Sequence, residues 1–172
     1  PLAARLPGGG PAHGVSEALV QHLDIFATIL ELARVEPRWD HHAQSLMPLL
    51  TGERADARED VLACGGTRQP QELPCACARS KMPEMPENNP YYSFYRTFQE
   101  APEAASLAFM LRTRERKYVW RQHDVEELYD LTADPRETHN LLHECPERVA
   151  GEHAAMKDRL LRRLVETGDV LP

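Results

Sequence analysis

The chain has 172 residues, of which 42% are hydrophobic and 27% carry a charge, a composition typical of a single globular domain. A chain of this length can bury about 70% of its unfolded surface, which is enough to form a core. Its net charge of −7 argues against nucleic acid or an anionic membrane surface as the main partner, and no apolar run approaches the ~20 residues that a membrane span needs.

The first residues have the composition of a linker, rich in Pro, Gly and Ala: PLAARLPGGGPAHG. The sequence opens on Pro1 rather than on Met, and it shows no signal peptide. We therefore expect a cut amino end and a larger parent protein.

A helix is predicted near residues 19–34, because apolar residues recur there at helical spacing. They are Leu19, Leu23, Phe26, Ile29, Leu30 and Ala33. Ser16 or Asp24 is placed to cap a turn, and Pro37 ends the pattern. The pattern favours an amphipathic core helix, with His22 as a neighbour of the core rather than a metal ligand.

The next stretch, RWDHHAQSLMPLLTGE, predicts a loop followed by one short helical turn that Gly52 closes. His41 and His42 suggest a metal site, but consecutive side chains diverge and one ion seldom binds both. A solvated loop is therefore favoured.

Residues 61–66, VLACGG, predict a short buried strand that ends in glycines. Residues 67–104 are rich in proline, lack periodicity and contain the aromatic stretch YYSFYRTF. We expect a long irregular excursion here, and loops of this length are usually functional or mobile.

The carboxy-terminal part predicts a hairpin, a third strand and a closing helix. SLAFML and KYVWRQ are strands separated by a turn at 113–115, EELYDL is a further strand, and TADPRE is a turn. A helix over 146–166 follows, with Gly168 just beyond its end. Its apolar face consists of Val149, His153, Met156, Leu160 and Leu164. The chain is thus divided into residues 1–60 and 61–172.

Three stretches, in this order, resemble segments of sulfatases. They are LVQHLDIFATILELARVEP, QSLMPLLTGE and RTRERKYVWRQHDVEELYDLTADPRETHNLL, and the ending VETGDVLP is similar to the close of some members. Ala27 stands where the family usually has Pro, and Arg34 and Ala43 stand where it usually has Gly. These departures affect turn and helix-end geometry rather than chemistry.

The matched positions form a signature to which the resemblance assigns structural roles. They are Asp24, Thr28, Ser45, Leu46, Lys117, Tyr118, Leu128, Tyr129, Asp130, Asp134, Pro135, Glu137 and Asn140. Asp130, Asp134 and Asn140 are residue types that bond local backbone amides, so we expect them to pin the turn after the last strand. A calcium loop at Asp130, Asp134 and Glu137 is disfavoured, because the stretch lacks the Gly and the alternating ligands of such loops.

PCACAR, residues 74–79, approaches the C-x-P-x-R motif in which sulfatases convert a Cys into the formylglycine nucleophile. We reject Cys75 as that nucleophile, because Cys77 replaces the proline before Arg79 and because the family's nucleophile precedes the helix that LDIFATIL resembles. A zinc site using Cys64, Cys75, Cys77 and a histidine is disfavoured by the C-x-C spacing. Free thiols, or a bridge from Cys75 or Cys77 to Cys64, remain open.

The aromatic loop supplies candidates for the rim of a substrate cleft: Tyr91, Tyr92, Phe94, Tyr95 and Arg96. Aromatic rings stack on sugars and aryl groups, and Arg suits a sulfate. The alternative is that these rings pack on the sheet or against a missing part of the protein.

The resemblance implies the carboxy-terminal part of a sulfatase, an enzyme that hydrolyses sulfate esters with formylglycine and a divalent metal, usually calcium. The implied partners are a missing amino-terminal sulfatase domain and, in the parent, a small sulfate ester. The catalytic and metal-binding groups would then lie upstream of Pro1, so no catalytic or metal residue and no cofactor is expected in this chain, and it should be inactive alone.

The expected fold is α+β: a small antiparallel sheet covered by helix 146–166, with helix 19–34 left over from an alkaline-phosphatase-like α/β domain. That earlier helix should expose an apolar face. The alternatives are a non-enzymatic interaction or scaffold module, and part of a related phosphoryl-transfer enzyme of the same superfamily. Substrate, compartment and oligomeric state are left open.

Overall fold

A computed structural model of the chain describes residues 2–6, 8, 14–66, 86–93, 96, 100–101, 103 and 106–168. Its helices are α1 (His22–Ala33), α2 (Met47–Leu50), α3 (Leu141–Glu144) and α4 (Pro146–Gly168), and its strands are β1 (Val61–Gly65), β2 (Ala108–Arg112), β3 (Arg116–Arg121) and β4 (Glu127–Asp130). Within this part of the chain, no helix combines the length and the apolar character needed to cross a bilayer.

The strands form one antiparallel sheet in the order β1-β2-β3-β4. Leu111 lies opposite Tyr118, and Tyr118 lies opposite Leu128, so three large side chains meet on one face of the sheet. At the hairpin turn, the Thr113 hydroxyl accepts a hydrogen bond from the Arg116 backbone amide at 3.0 Å. The predicted α+β arrangement is confirmed.

Helix α4 covers this face of the sheet and completes the core. Its residues Val149, Met156 and Leu160 are buried against Leu111, Tyr118 and Leu128, as the spacing of its apolar face predicts. Each such side chain contributes roughly 1.5–3 kcal/mol on burial. The helix continues to Gly168, two residues past its predicted end, and the Thr167 hydroxyl donates to the Arg163 carbonyl at 2.8 Å within that last turn.

A short helix that sequence patterns did not predict, α3, precedes α4. Asn140 caps it, because its side-chain oxygen accepts from the Leu142 amide at 3.1 Å. Four residues are too few to show helical periodicity, so only the capping residue could have indicated it.

Helix α1 lies beside β1, and its burial is the reverse of an ordinary amphipathic helix. Its buried residues are Asp24, Ala27 and Thr28, whereas Phe26 and Ile29 are exposed. The helix itself and its exposed apolar face are confirmed, but the apolar residues do not enter the core of this chain, and His22 is exposed rather than beside the core.

Candidate functional site

The signature residue Asp24 is the centre of a buried polar cluster at the amino end of α1. Its carboxylate is completely buried and accepts hydrogen bonds from the Gln21 amide at 2.7 Å and the Gln44 amide at 2.9 Å. The Thr28 hydroxyl donates to the Asp24 carbonyl at 2.6 Å and accepts from the Leu46 amide at 2.8 Å. Asp24 and Thr28 therefore fasten α1 to the turn that contains Ser45 and Leu46.

Arg58 completes this cluster from the segment that leads into β1. Its side chain is 4% exposed and forms an ion pair with Asp24, and it also donates to the Gln21 side-chain oxygen at 2.7 Å. Burial lowers the pKa of Arg58, and the negative charge of Asp24 opposes that shift, so the guanidinium remains charged at neutral pH. Sequence reasoning missed Arg58, because nothing in the stretch ERADARED distinguishes it from Arg54.

The loop after β4 is held by side chains that accept hydrogen bonds from backbone amides. The Asp130 carboxylate accepts from Thr132 at 2.9 Å and from Ala133 at 3.0 Å, and these bonds, the one from Ala133 most of all, lower its pKa. Asp134 accepts from the amides of residues 138 and 139. The Asn140 side chain accepts from the Leu128 amide at 3.1 Å. The turn is pinned by the residues that the sequence indicated.

The remaining signature residues support the same loop. Lys117 forms an ion pair with Glu137, and its ammonium lies 5.9 Å from the centre of the Tyr129 ring. Glu137 has a positive φ of 57°, an uncommon conformation for a residue with a side chain. Pro135 lies in the turn between Asp134 and Glu137. These contacts hold Lys117, Tyr129 and Glu137 together beside the turn.

A second polar cluster, which sequence analysis did not identify, joins α4 to the sheet around Glu126. Its carboxylate accepts from the Tyr118 hydroxyl at 2.6 Å and the Lys157 ammonium at 2.6 Å, and the His153 Nε2 atom lies 2.5 Å away. Burial would raise the pKa of Glu126, but the bonds from Lys157, Tyr118 and His153 hold it at about 2. Burial and the bond to Glu126 raise the pKa of Tyr118. The carboxylate thus has three hydrogen-bonding partners, Tyr118 on β3 and His153 and Lys157 on α4.

The predicted substrate-rim residues are only partly described. Tyr91 is 71% exposed, Tyr92 is half-buried, and Tyr95 lies outside the described residues. The Arg96 guanidinium donates to the Glu100 carboxylate at 2.7 Å, so its charge already has a partner. A role of this loop at a substrate cleft stays a prediction.

The described residues do not offer a set of ligands for a metal ion. There, no group of three or more His, Cys, Asp or Glu side chains could hold a metal ion. Cys64, exposed on β1, and Cys145 carry free thiols. The alternatives for Cys75, Cys77 and Arg79 fall outside the described residues.

Among known proteins, the chain is similar to sulfatases. No protein-family profile matches the chain. It is 26% identical over 169 residues to an N-acetylglucosamine-6-O-sulfatase of Bacteroides thetaiotaomicron, covering 97% of this chain and 24% of that protein. It is 28% identical over 168 residues to arylsulfatase K of Gallus gallus, covering 96% of this chain and 25% of that protein. The chain thus spans about a quarter of the length of these curated relatives.

Solved structures share the fold. A phosphonate monoester hydrolase from Silicibacter pomeroyi has a TM-score of 0.62 and 22% identity over 95% of this chain and 28% of its own. A 2-O GAG sulfatase has a TM-score of 0.56 and 19% identity over 85% of this chain and 25% of its own. The chain is similar to the carboxy-terminal quarter of sulfatases and phosphonate monoester hydrolases, and the resemblance read from the sequence is confirmed.

Proposed function

We propose that this chain is the carboxy-terminal part of a sulfatase and that it stabilises a larger α/β domain that carries the catalytic groups. The sequence similarity to two sulfatases over nearly the whole chain supports this proposal. The observation that carries it is the outer face of α1, which is apolar where a helix of a complete domain is polar.

The α1 outer face is defined here by Leu23, Phe26, Ile29, Leu32 and Trp39. Their exposed fractions are 42%, 39%, 58%, 47% and 53%. Trp39 stacks on Phe26 with ring centres 6.2 Å apart, so the face is an ordered surface rather than scattered side chains. A contiguous apolar surface of this kind marks an interaction site.

A groove beside α1 indicates how the rest of the protein would reach this face. Leu2, Val20, Leu23, Val61 and Met110 are among the residues that line the groove. Leu2 and Leu23 both line this groove, so in the proposed parent the polypeptide before Leu2 would lie beside the α1 outer face. We infer that the occupant of this face is the remaining α/β domain of the same polypeptide.

The chemistry of the proposed parent would come from that domain. Sulfatases use a formylglycine nucleophile and a divalent metal, usually calcium. In the proposed enzyme, the residues of this chain hold α1, the sheet and α4 in place behind that centre. Aromatic residues near Tyr91 would reach the cleft rim only if the loop folds toward it in the parent.

The decisive experiment reads the coding sequence upstream of Pro1 in the source organism. We expect an open frame with a C/S-x-P-x-R motif followed by an Asp-rich metal site. A stop codon or an unrelated domain there would overturn the proposal and favour a scaffold module. Incubating the 172-residue chain with an aryl sulfate should give no turnover, and hydrolysis by this chain would contradict the placement of the chemistry.

A related hydrolase acting on a phosphorus ester is the second candidate. The fold match to a phosphonate monoester hydrolase, with a TM-score of 0.62, favours it over an unrelated scaffold. The two candidates share the parent architecture, so comparing aryl sulfate with phosphonate monoester turnover by the full-length protein would separate them.

A further inference from the structure

Hydrogen bonds and an ion pair join α1 to β1 and to the segment that precedes β1. The core cluster on the sheet contains residues of the sheet, α3 and α4 and, within the described residues, no side chain of α1. Instead, the Gln21 side-chain amide donates to the Leu62 carbonyl of β1 at 2.6 Å. Arg58 binds both Gln21 and Asp24.

The segment that carries Arg58 is itself anchored to α4. Asp60, two residues along the chain, is 7% exposed and accepts from the Arg159 guanidinium at 2.6 Å. Arg163 lies 3.1 Å from the other carboxylate oxygen of Asp60. Arg58 therefore projects toward α1 from a segment that is fixed to the sheet-and-helix core.

We propose that Gln21, Asp24 and Arg58 form a latch, the Arg58 latch, which sets the orientation of α1 relative to the sheet and can open without unfolding the core. Its guanidinium uses two nitrogen atoms for two acceptors on α1 and its amino-terminal cap, a geometry that the single ammonium of Lys cannot reproduce. The importance of that orientation for docking rests on the proposed function, but the latch itself does not.

Loss of Arg58 has a defined physical consequence. Asp24 would remain buried with only the amides of residues 21 and 44 as partners, and a buried charge without its counter-ion is strongly destabilising. Opening of α1 returns the carboxylate to water and removes that cost. The destabilisation should therefore fall on α1, because the core cluster of the described residues includes no α1 side chain.

The test measures amide hydrogen exchange in the 172-residue chain and in its Arg58→Met variant. Protection of α1 amides should fall on the order of 100-fold, while protection of β2, β3 and α4 stays within about threefold. Arg114→Met is the matched control, because Arg114 forms an exposed ion pair with Asp56. It should change neither region.

Two further variants keep the test decisive. Arg58→Lys retains the charge but loses the two-acceptor geometry, so it should give an intermediate loss confined to α1. The double variant Asp24→Asn with Arg58→Met removes both charges and should restore part of the α1 protection.

Equal loss in α1 and the core, in Arg58→Lys as well as Arg58→Met, would overturn the latch. So would unchanged protection, or an α1 that is already unprotected in the unmutated chain. None of these outcomes depends on what lies upstream of Pro1.

Discussion

At the scale of single residues, Arg34 shows how a departure from the sulfatase sequence pattern affects the backbone. Arg34 closes α1 in the left-handed region, with φ 55° and ψ 40°. Its amide donates to the Glu31 carbonyl at 3.0 Å, as in a helix that ends on glycine. Sulfatases usually have Gly here, so the substitution keeps the fold of the cap at a conformational cost.

Arg34→Gly should stabilise α1. A left-handed conformation costs a residue with a side chain roughly 1–2 kcal/mol, and the greater unfolded freedom of Gly takes back about 0.5–1 kcal/mol, which leaves a gain of about 0.5–1 kcal/mol. Hydrogen exchange of the last turn of α1 measures it. Arg34→Ala serves as the control and should give no gain, and a variant with Gly less protected than the one with Ala would contradict the argument.

Glu126 predicts a pH dependence of stability. Its pKa is about 2 when folded, against 4.5 for the ordinary carboxyl, so its contribution is present above about pH 4.5 and is lost as the pH falls toward 2. Glu126→Gln should cost about 2 kcal/mol at pH 7, because three charge-assisted hydrogen bonds are weakened. Urea denaturation should show that the difference between the variant and the unmutated chain shrinks between pH 5 and pH 2.

The control for this experiment is Glu166→Gln, since Glu166 is exposed and pairs with Arg163 on the same helix. That change should leave the free energy of unfolding within about 0.5 kcal/mol at every pH. A pH-independent loss on changing Glu126 would show that packing, rather than the charge, matters there.

Residue roles were predictable from sequence only where the partner is local. Asp130 and Asp134 accept from amides a few positions away, and their residue types predict this. Arg58 meets Asp24 across 34 positions and Lys157 meets Glu126 across 31, so only the tertiary fold brings them together.

At the scale of elements, the sequence predicts that α1 is an amphipathic helix. It does not predict which way the apolar face of that helix points. Periodicity predicts a helix and an apolar stripe, but it does not show whether that stripe faces the chain's own core or a partner. The buried side instead uses Ala27 for close approach and Asp24 and Thr28 for hydrogen bonds.

A pair of lysine substitutions tests this orientation. Ile29→Lys lies on the α1 outer face and should change the free energy of unfolding by less than about 0.5 kcal/mol. Ala27→Lys should cost about 3 kcal/mol or more, since it would bury an unpaired charge. The reverse ranking would show that α1 faces the other way.

The sheet and α4 were more fully predictable. Alternating strands, the hairpin turn and the spacing of Val149, Met156 and Leu160 are local patterns, and burial of one face follows from them. The order of the four strands and the partner of β1 were not encoded locally, because the intervening residues 67–104 give no usable periodicity.

At the scale of the whole molecule, the structure combines an apolar core on the sheet with an α1 held by charges and hydrogen bonds. Division of the chain at residue 60 stays a prediction, and Asp60 itself is bonded to α4. The substrate of the proposed parent depends on residues outside this chain, so neither sequence nor fold could supply it.

The two tryptophans should therefore report different unfolding transitions. Trp39 lies on the α1 outer face, and Trp120 packs beside Phe109 with ring centres 5.9 Å apart. We expect fluorescence of Trp39, measured in a Trp120→Phe variant, to change at a lower urea concentration than fluorescence of Trp120 in a Trp39→Phe variant. Circular dichroism of each variant provides the reference. Coincident transitions would indicate one cooperative unit.

The bond from Gln21 to the Leu62 carbonyl has a consequence for solubility. It covers part of the edge of β1 on which no other strand pairs among the described residues. A molecule whose α1 swings away would present bare strand backbone to other molecules, and such edges template intermolecular pairing. Light scattering of stored samples should therefore rise sooner for Arg58→Met than for Arg114→Met. That result would indicate that the Gln21 side chain protects the edge of β1 from intermolecular pairing.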